Sequence, residues 1–101
     1  MVTQLRLYTI RAGRMAEWVD GWTRGVLPLR RKHGFAILGA WVIAERNQFL
    51  WLLAYEGPVE EFTARNRAYY DSEDRKTLRP DPAPLIETQE TWFVEPIVDP
   101  R

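Results

Sequence analysis

The 101-residue chain has no cysteine and a single histidine. Without cysteine there are no disulfides, thiolate metal sites, iron–sulfur clusters or thiol nucleophiles. One histidine excludes a multi-histidine zinc site within one chain. No apolar run approaches the ~20 residues that a membrane-spanning helix requires. The first residues, Met-Val-Thr-Gln-Leu-Arg, lack signal-peptide architecture, so the expected location is the cytoplasm. Neither charge sign is in excess: 14 Lys and Arg balance 14 Asp and Glu. That balance argues against a dedicated nucleic-acid partner. No phosphate loop, dinucleotide fingerprint, nucleophile elbow or metal-ligand spacing occurs, so neither a cofactor nor a metal is expected. What the chain does have is aromatics, 13 of them, five being Trp. Each buries a large area, and together they can fill a small core or line a pocket for a flat apolar ligand.

The length suits one domain over residues 1–101. Residues 4–11 alternate as a strand, with Leu5, Leu7 and Thr9 on one face and Arg6, Tyr8 and Ile10 on the other. Residues 14–32 read as a helix, with Met15, Trp18, Val19, Trp22, Val26 and Leu29 on its apolar side. Gly21 and Gly25 lower its propensity, and Pro28 should kink or divide it near Val26. His33-Gly34 ends it. Residues 35–45 and 48–56 form an antiparallel hairpin around Arg46-Asn47. Both runs are almost continuously apolar, so both sheet faces should be covered. Gly57-Pro58 opens a second helix, residues 71–78 add a further turn, and Pro80, Pro82 and Pro84 make an extended connection. Residues 86–94 form the last strand, and the tail to Arg101 reads as loosely ordered.

The order β-α-β-β-α-β is the α+β, ferredoxin-like arrangement: a four-stranded antiparallel sheet with two helices on one face. The other face, also apolar, needs a cover that the chain cannot supply. A second copy packed sheet to sheet would supply it, so a two-fold homodimer, closing a dimeric α+β barrel, is expected.

Several short motifs lie along this frame: L-R-L-Y-T-I at residues 5–10, L-P-L-R-R-K-H-G at 27–34, L-G-A-W at 38–41, A-Y-E at 54–56 and T-Q-E at 88–90. With these the sequence resembles the NIPSNAP family, within the dimeric α+β barrel group. The resemblance implies a pocket between the sheet and the helices of each subunit. Relatives in that group include cofactor-free quinone-forming monooxygenases, haem-degrading monooxygenases and lactone isomerases. The third strand of the family often carries a His and a Trp two residues apart; Trp51 and Leu53 stand there in this chain. Where the second helix often ends in an Asp-Pro-x-Trp segment, this chain has Asp71-Ser72-Glu73-Asp74.

The candidate catalytic residues are His33, Arg6 and Tyr8. His33 matches its family motif, and imidazole is the side chain whose ordinary range lies nearest neutrality, so it could be a general base or a haem ligand, or simply cap its helix. Arg6 could stabilise an enolate or phenolate oxygen, with Tyr8 donating to the same oxygen. Trp41, Trp51, Tyr55, Asn66, Tyr69 and Gln89 are the candidate substrate-binding residues, with Tyr70 beside Tyr69. Trp18 and Trp22 read as core, and Glu90 as a possible partner of Arg6. The expected function is acid–base chemistry on a hydrophobic aromatic or polyketide-like molecule: oxygenation without cofactor, isomerisation or cyclisation. The alternatives are a non-catalytic ligand- or protein-binding dimer and, third, haem binding or degradation.

Overall fold

The computed structural model describes residues 1–99. Strand β1 (Val2–Ile10) leads into α1 (Met15–Gly21), a π-helical turn (Trp22–Val26) and α2 (Leu27–Lys32). The hairpin β2 (Ala36–Ile43) and β3 (Gln48–Tyr55) follows, then α3 (Val59–Asp71), the short α4 (Glu73–Lys76) and β4 (Ile86–Val94). The sheet order is β2-β3-β1-β4 with every neighbouring pair antiparallel. This is the ferredoxin-like topology, with β1 and β3 central. Among the described residues no helix is long and apolar enough to cross a membrane. Of the tail, residues 95–99 carry no helix or strand, and the last two residues lie outside the described region.

The first helical region is continuous but irregular. Pro28 has no N–H to offer the preceding turn. The chain meets this by inserting a π-turn, in which the Leu27 N–H reaches the Trp22 carbonyl. Pro28 then stands in the first turn of a fresh α-helix, where no donor is required. The extra residue changes which side chains face the sheet. An uninterrupted 3.6-residue period places Leu29 inward. Instead the buried positions fall at steps of four: Trp18, Trp22, Val26 and Arg30. Gly21 and Gly25 provide close seats for the segment that returns to β4. A Cβ at Gly21 would come within 2.9 Å of Pro82, and one at Gly25 within 3.1 Å of Leu78. That segment, expected to be extended, contains a 3-10 turn at Ala83–Leu85.

The hairpin carries a second one-residue insertion. Ile37 pairs with Leu53 but Gly39 with Leu52, so Leu38 is a bulge. Past it the alternation of β2 is reversed. The strand ends at Ile43, two residues early, in a 3-10 turn closed by Asn47 with φ 52°. Asn tolerates that left-handed conformation, and its amide donates to the Ile10 carbonyl.

The core lies between the sheet and the helices and is largely aromatic. Tyr8, Trp18, Phe49, Trp22 and Trp51 pack edge to face or tilted, with centroids 5.0–5.5 Å apart along the run from Tyr8 to Trp51. Phe35, Tyr55, Phe62 and Tyr69 continue it under α3. The opposite sheet face carries Leu5, Leu7, Leu50 and Leu52, all partly exposed. Trp41 and Trp92 on this face are about half exposed, at 51% and 50%.

Candidate functional site

A cavity of about 330 Å³ opens between the sheet, the first helical region and the end of α3. That is near the lower end for small-molecule sites. Trp51 and Tyr8 reach it from the sheet, Trp18, Trp22, Val26 and Arg30 from the helical region, and Tyr69 and Tyr70 from α3. Arg75, Pro82 and Ala83 close one side, and residues 86–89 of β4 form another.

Behind the cavity two arginines converge. Arg6 is 5% exposed and Arg30 1%. Arg6 Nη1 donates to the hydroxyls of Tyr8 and Tyr70, each at 3.1 Å, and its Nε to Gln4 at 2.8 Å. Arg30 Nη1 donates to Asn66 Oδ1 at 2.8 Å and Nη2 to the Tyr70 hydroxyl at 3.2 Å. Arg6 Nη2 also reaches Asn66 Oδ1, at 3.5 Å. The Arg30 guanidinium carbon stands 3.8 Å from the centre of the Tyr69 ring and 4.9 Å from that of Phe35. Neither arginine forms an ion pair among the described residues. Each burial of a charge costs several kcal/mol. A cation–π contact returns about 2 kcal/mol when desolvated, and a hydrogen bond to a charged group about 1.5–3. The ring cage and the phenols therefore hold the arginines in place without cancelling their charge.

The electrostatic consequences follow. Burial, and then the Arg6 charge, lower the Arg30 guanidinium to about 10, so it stays protonated at neutral pH. Tyr70 is 43% exposed, but its hydroxyl reaches the two guanidiniums. Burial alone would push its phenol up. Arg6 and Arg30, with Arg75 beyond them, outweigh that and hold it below its ordinary value of 10.0. Burial raises the Tyr69 phenol instead.

The sequence expectations sort clearly against this geometry. Tyr8, Trp51, Tyr69 and Gln89 line the cavity. Arg6 faces the helices but stands behind Tyr8 and Tyr70, donating to both hydroxyls without lining the cavity. Asn66 braces Arg6 and Arg30 rather than lining the cavity. Three residues lie elsewhere. Trp41 pairs with Leu50 on the far sheet face, because the bulge at Leu38 reverses the alternation. Tyr55 is core, its hydroxyl donating to Glu61 at 2.9 Å. His33 caps α2 outside the cavity, with Nε2 3.1 Å from Asp74 Oδ1. His33 is not among the residues that line the cavity, although its ring packs edge to face on that of Tyr69, which is. Glu90 pairs with Leu7 on the far face and does not meet Arg6. Trp18 and Trp22 are core as expected, but also cavity wall. Arg30 and Arg75 were not singled out by sequence. Steps of four from Trp18 to Arg30, next to a mid-helix proline, were the available sign for Arg30.

The NIPSNAP family model matches residues 3–99. The chain belongs to the NIPSNAP family. It is similar to a NIPSNAP domain protein of Burkholderia xenovorans, 21% identical at a TM-score of 0.81, over 95% of this chain and 94% of that one. A NIPSNAP family protein of Agrobacterium tumefaciens is 20% identical at a TM-score of 0.83, over 94% and 91%. An antibiotic biosynthesis monooxygenase is 11% identical at 0.68, over 97% and 100%. At these identities the likeness shows the fold alone. Among curated proteins no sequence matches. NIPSNAP membership and this topology agree with the expectation from sequence.

Proposed function

We propose that this NIPSNAP protein is an acid–base enzyme for a small, hydrophobic aromatic substrate. One observation carries the reading: an aromatic-walled cavity holds two phenols, Tyr8 and Tyr70, braced by buried guanidiniums. Tyr70, whose phenol is held below its ordinary value, takes the place first given to His33. As phenolate it accepts the acidic C–H or O–H proton of the substrate. The resulting enolate or phenolate oxygen takes a hydrogen bond from the Tyr8 O–H. Tyr70, now a phenol, returns the proton at another atom in an isomerisation or cyclisation. In the oxygenase variant of this chemistry the substrate anion is instead oxidised by dioxygen. The oxygenase variant is in keeping with the fold shared with an antibiotic biosynthesis monooxygenase. The protein acts as a homodimer, its second copy covering the face that bears Leu5, Leu52, Trp41 and Trp92. Native mass spectrometry reads that directly, and a monomer mass removes the dimer.

Proton abstraction is the step shared by all these reactions. Its test is hydrogen–deuterium exchange at the acidic methylene of 2-tetralone, followed by NMR. The expected result is exchange accelerated by the protein and slowed about a hundredfold in Tyr70→Phe. Equal rates with protein, variant and buffer would reject the enzyme in favour of a non-catalytic binding dimer.

A further inference from the structure

The inference concerns the charge of the ligand, and it rests on the cavity reading proposed above. Five buried side-chain nitrogen or oxygen atoms have no hydrogen-bond partner among the described residues: Trp18 Nε1, Trp22 Nε1, Trp51 Nε1, Arg30 Nε and the Tyr69 hydroxyl. All five carry a proton to donate, and all five belong to residues that wall the cavity. The engaged groups show the same bias. The Tyr70 oxygen already accepts two N–H bonds and the Tyr8 oxygen one. Each phenol therefore keeps its own proton for an acceptor that the protein does not supply.

The charges point the same way. Arg6 and Arg30 bring two buried positive charges, and Asn66, an uncharged amide, occupies the place between them where a carboxylate would pair both. Arg75 is a different case, since Asp81 meets it at 3.3 Å and neutralises it. The Glu87 carboxylate stands at the exposed rim on β4, away from the guanidiniums' hydrogen bonds. Flat aromatic walls with an excess of donors and of positive charge behind them fit one class of molecule.

We infer that the cavity selects its ligand as an oxygen monoanion on an aromatic frame, either a carboxylate or the delocalised enolate of a 1,3-dicarbonyl compound, whose charge is the counterion that Arg6 and Arg30 lack. The anionic oxygens accept hydrogen bonds from the Tyr8 and Tyr70 O–H groups, the state in which the proposed reaction leaves Tyr70 once it has taken the substrate's proton, and the ring lies against Trp22 and Trp51. Such a ligand supplies at once the acceptor that the Tyr8 and Tyr70 hydroxyls lack and the counterion that Arg6 and Arg30 lack.

Isothermal titration calorimetry of the whole protein with three probes of nearly equal shape tests this. The probes are 2-naphthoate, 2-naphthamide and 2-naphthylmethylammonium. The expected result is that 2-naphthoate binds about tenfold or more tightly than the amide, and that the cation does not bind. Arg30→Gln should remove most of that preference. Because Arg30 is buried and its variant can fail to fold, Tyr70→Phe, altered at a partly exposed ring, is measured beside it and should reduce the same preference. Equal binding of naphthoate and naphthamide overturns the inference while the cavity reading stands. So does a preference that survives in both folded variants. No binding by any probe overturns the inference together with the cavity reading. A 1,3-dicarbonyl probe, 2-acetyl-1-tetralone, then distinguishes the two anion sources by its affinity relative to naphthoate.

Discussion

Two cationic clusters sit within three residues of each other at the end of α2, and they are treated oppositely. At the surface, Lys32 Nζ and His33 Nε2 both meet the Asp74 carboxylate, at 2.8 and 3.1 Å. Hydrogen bonds from Lys32 and then Ser72 hold that carboxyl well below the usual range. One turn earlier, Arg30 is buried beside Arg6, and the groups bridging them are the uncharged amide of Asn66 and the Tyr70 hydroxyl. Water would have tolerated an unpaired cation at the surface, yet there a carboxylate is present. In the interior, where an unpaired charge costs several kcal/mol, none is. Where charge is needed only to hold helices together, the chain supplies both signs. Where it supplies one sign and a cavity, the other sign is left to the ligand.

The sharpest way to break this comparison is to supply the missing charge. Asn66→Asp is nearly isosteric and places a carboxylate oxygen within reach of both guanidiniums. Replacing a neutral acceptor by a charged one adds about 1–2 kcal/mol for each bond it strengthens. The variant should therefore melt higher than the parent and lose the naphthoate preference by about tenfold or more. Calorimetric unfolding and binding on the same sample read both effects. A variant that gains no stability, or that binds the anion as well as before, would show that Arg6 and Arg30 are already compensated.

A smaller effect lies in the titration of Tyr70. Its phenol faces Arg6 and Arg30, with Arg75 and Tyr69 nearby, and is held below 10.0. A spectrophotometric titration of tyrosinate should thus show one tyrosine ionising early, and Tyr70→Phe should remove it. An anion bound beside the phenol disfavours the phenolate, so saturating 2-naphthoate should move that titration upward. Linkage gives the stability a definite sign. A depressed folded-state value means the unfolded chain binds the proton more tightly, so this contribution is fully present above about pH 10 and is lost as pH falls through the folded-state value. An early-ionising tyrosine unmoved by naphthoate would detach Tyr70 from the anion site.

Much of the architecture was legible because it rests on patterns that repeat. The alternation of β1 correctly put Arg6 and Tyr8 on one face, and that face is the one beneath the helices. The strand at residues 86–94 was read to the residue. Two errors in the site share one physical cause. A periodic reading carries its phase forward, and a single inserted residue shifts everything after it. The π-turn at Trp22–Val26 turned Arg30 inward in place of Leu29, and the bulge at Leu38 turned Trp41 away from the cavity. Pro28 announced the first irregularity: it was expected to kink or divide the helix near Val26, and the helix does divide there, but the change of phase that the π-turn brings was not part of that expectation. Nothing local announced the second, since Gly39 shows its purpose only once the Trp41 ring is seen to lie where its Cβ would stand. His33 was misplaced for another reason. A side chain that suits catalysis and one that suits a helix end look alike until a partner from 41 positions away is found beside it.

The smallest expected effect is at that partner. Asp74→Asn removes the carboxylate from the surface cluster while keeping its shape. Exposed ion pairs contribute little, because water competes for both members, so the melting temperature at neutral pH should fall by no more than ~2 °C. Since the Asp74 carboxyl is held below its usual 3.8, its contribution is present above that value and fades as pH falls through the folded-state value. Parent and variant should therefore differ by a small amount at neutral pH and converge in acid. Naphthoate binding should be unchanged, because His33 and Lys32 do not reach the cavity. A loss of binding would carry a definite meaning. The next residue, Arg75, lines the cavity from the same short helix, α4. If breaking the Asp74 contacts disturbs the ligand, the surface pair positions that helix, and the two clusters act as one device rather than two.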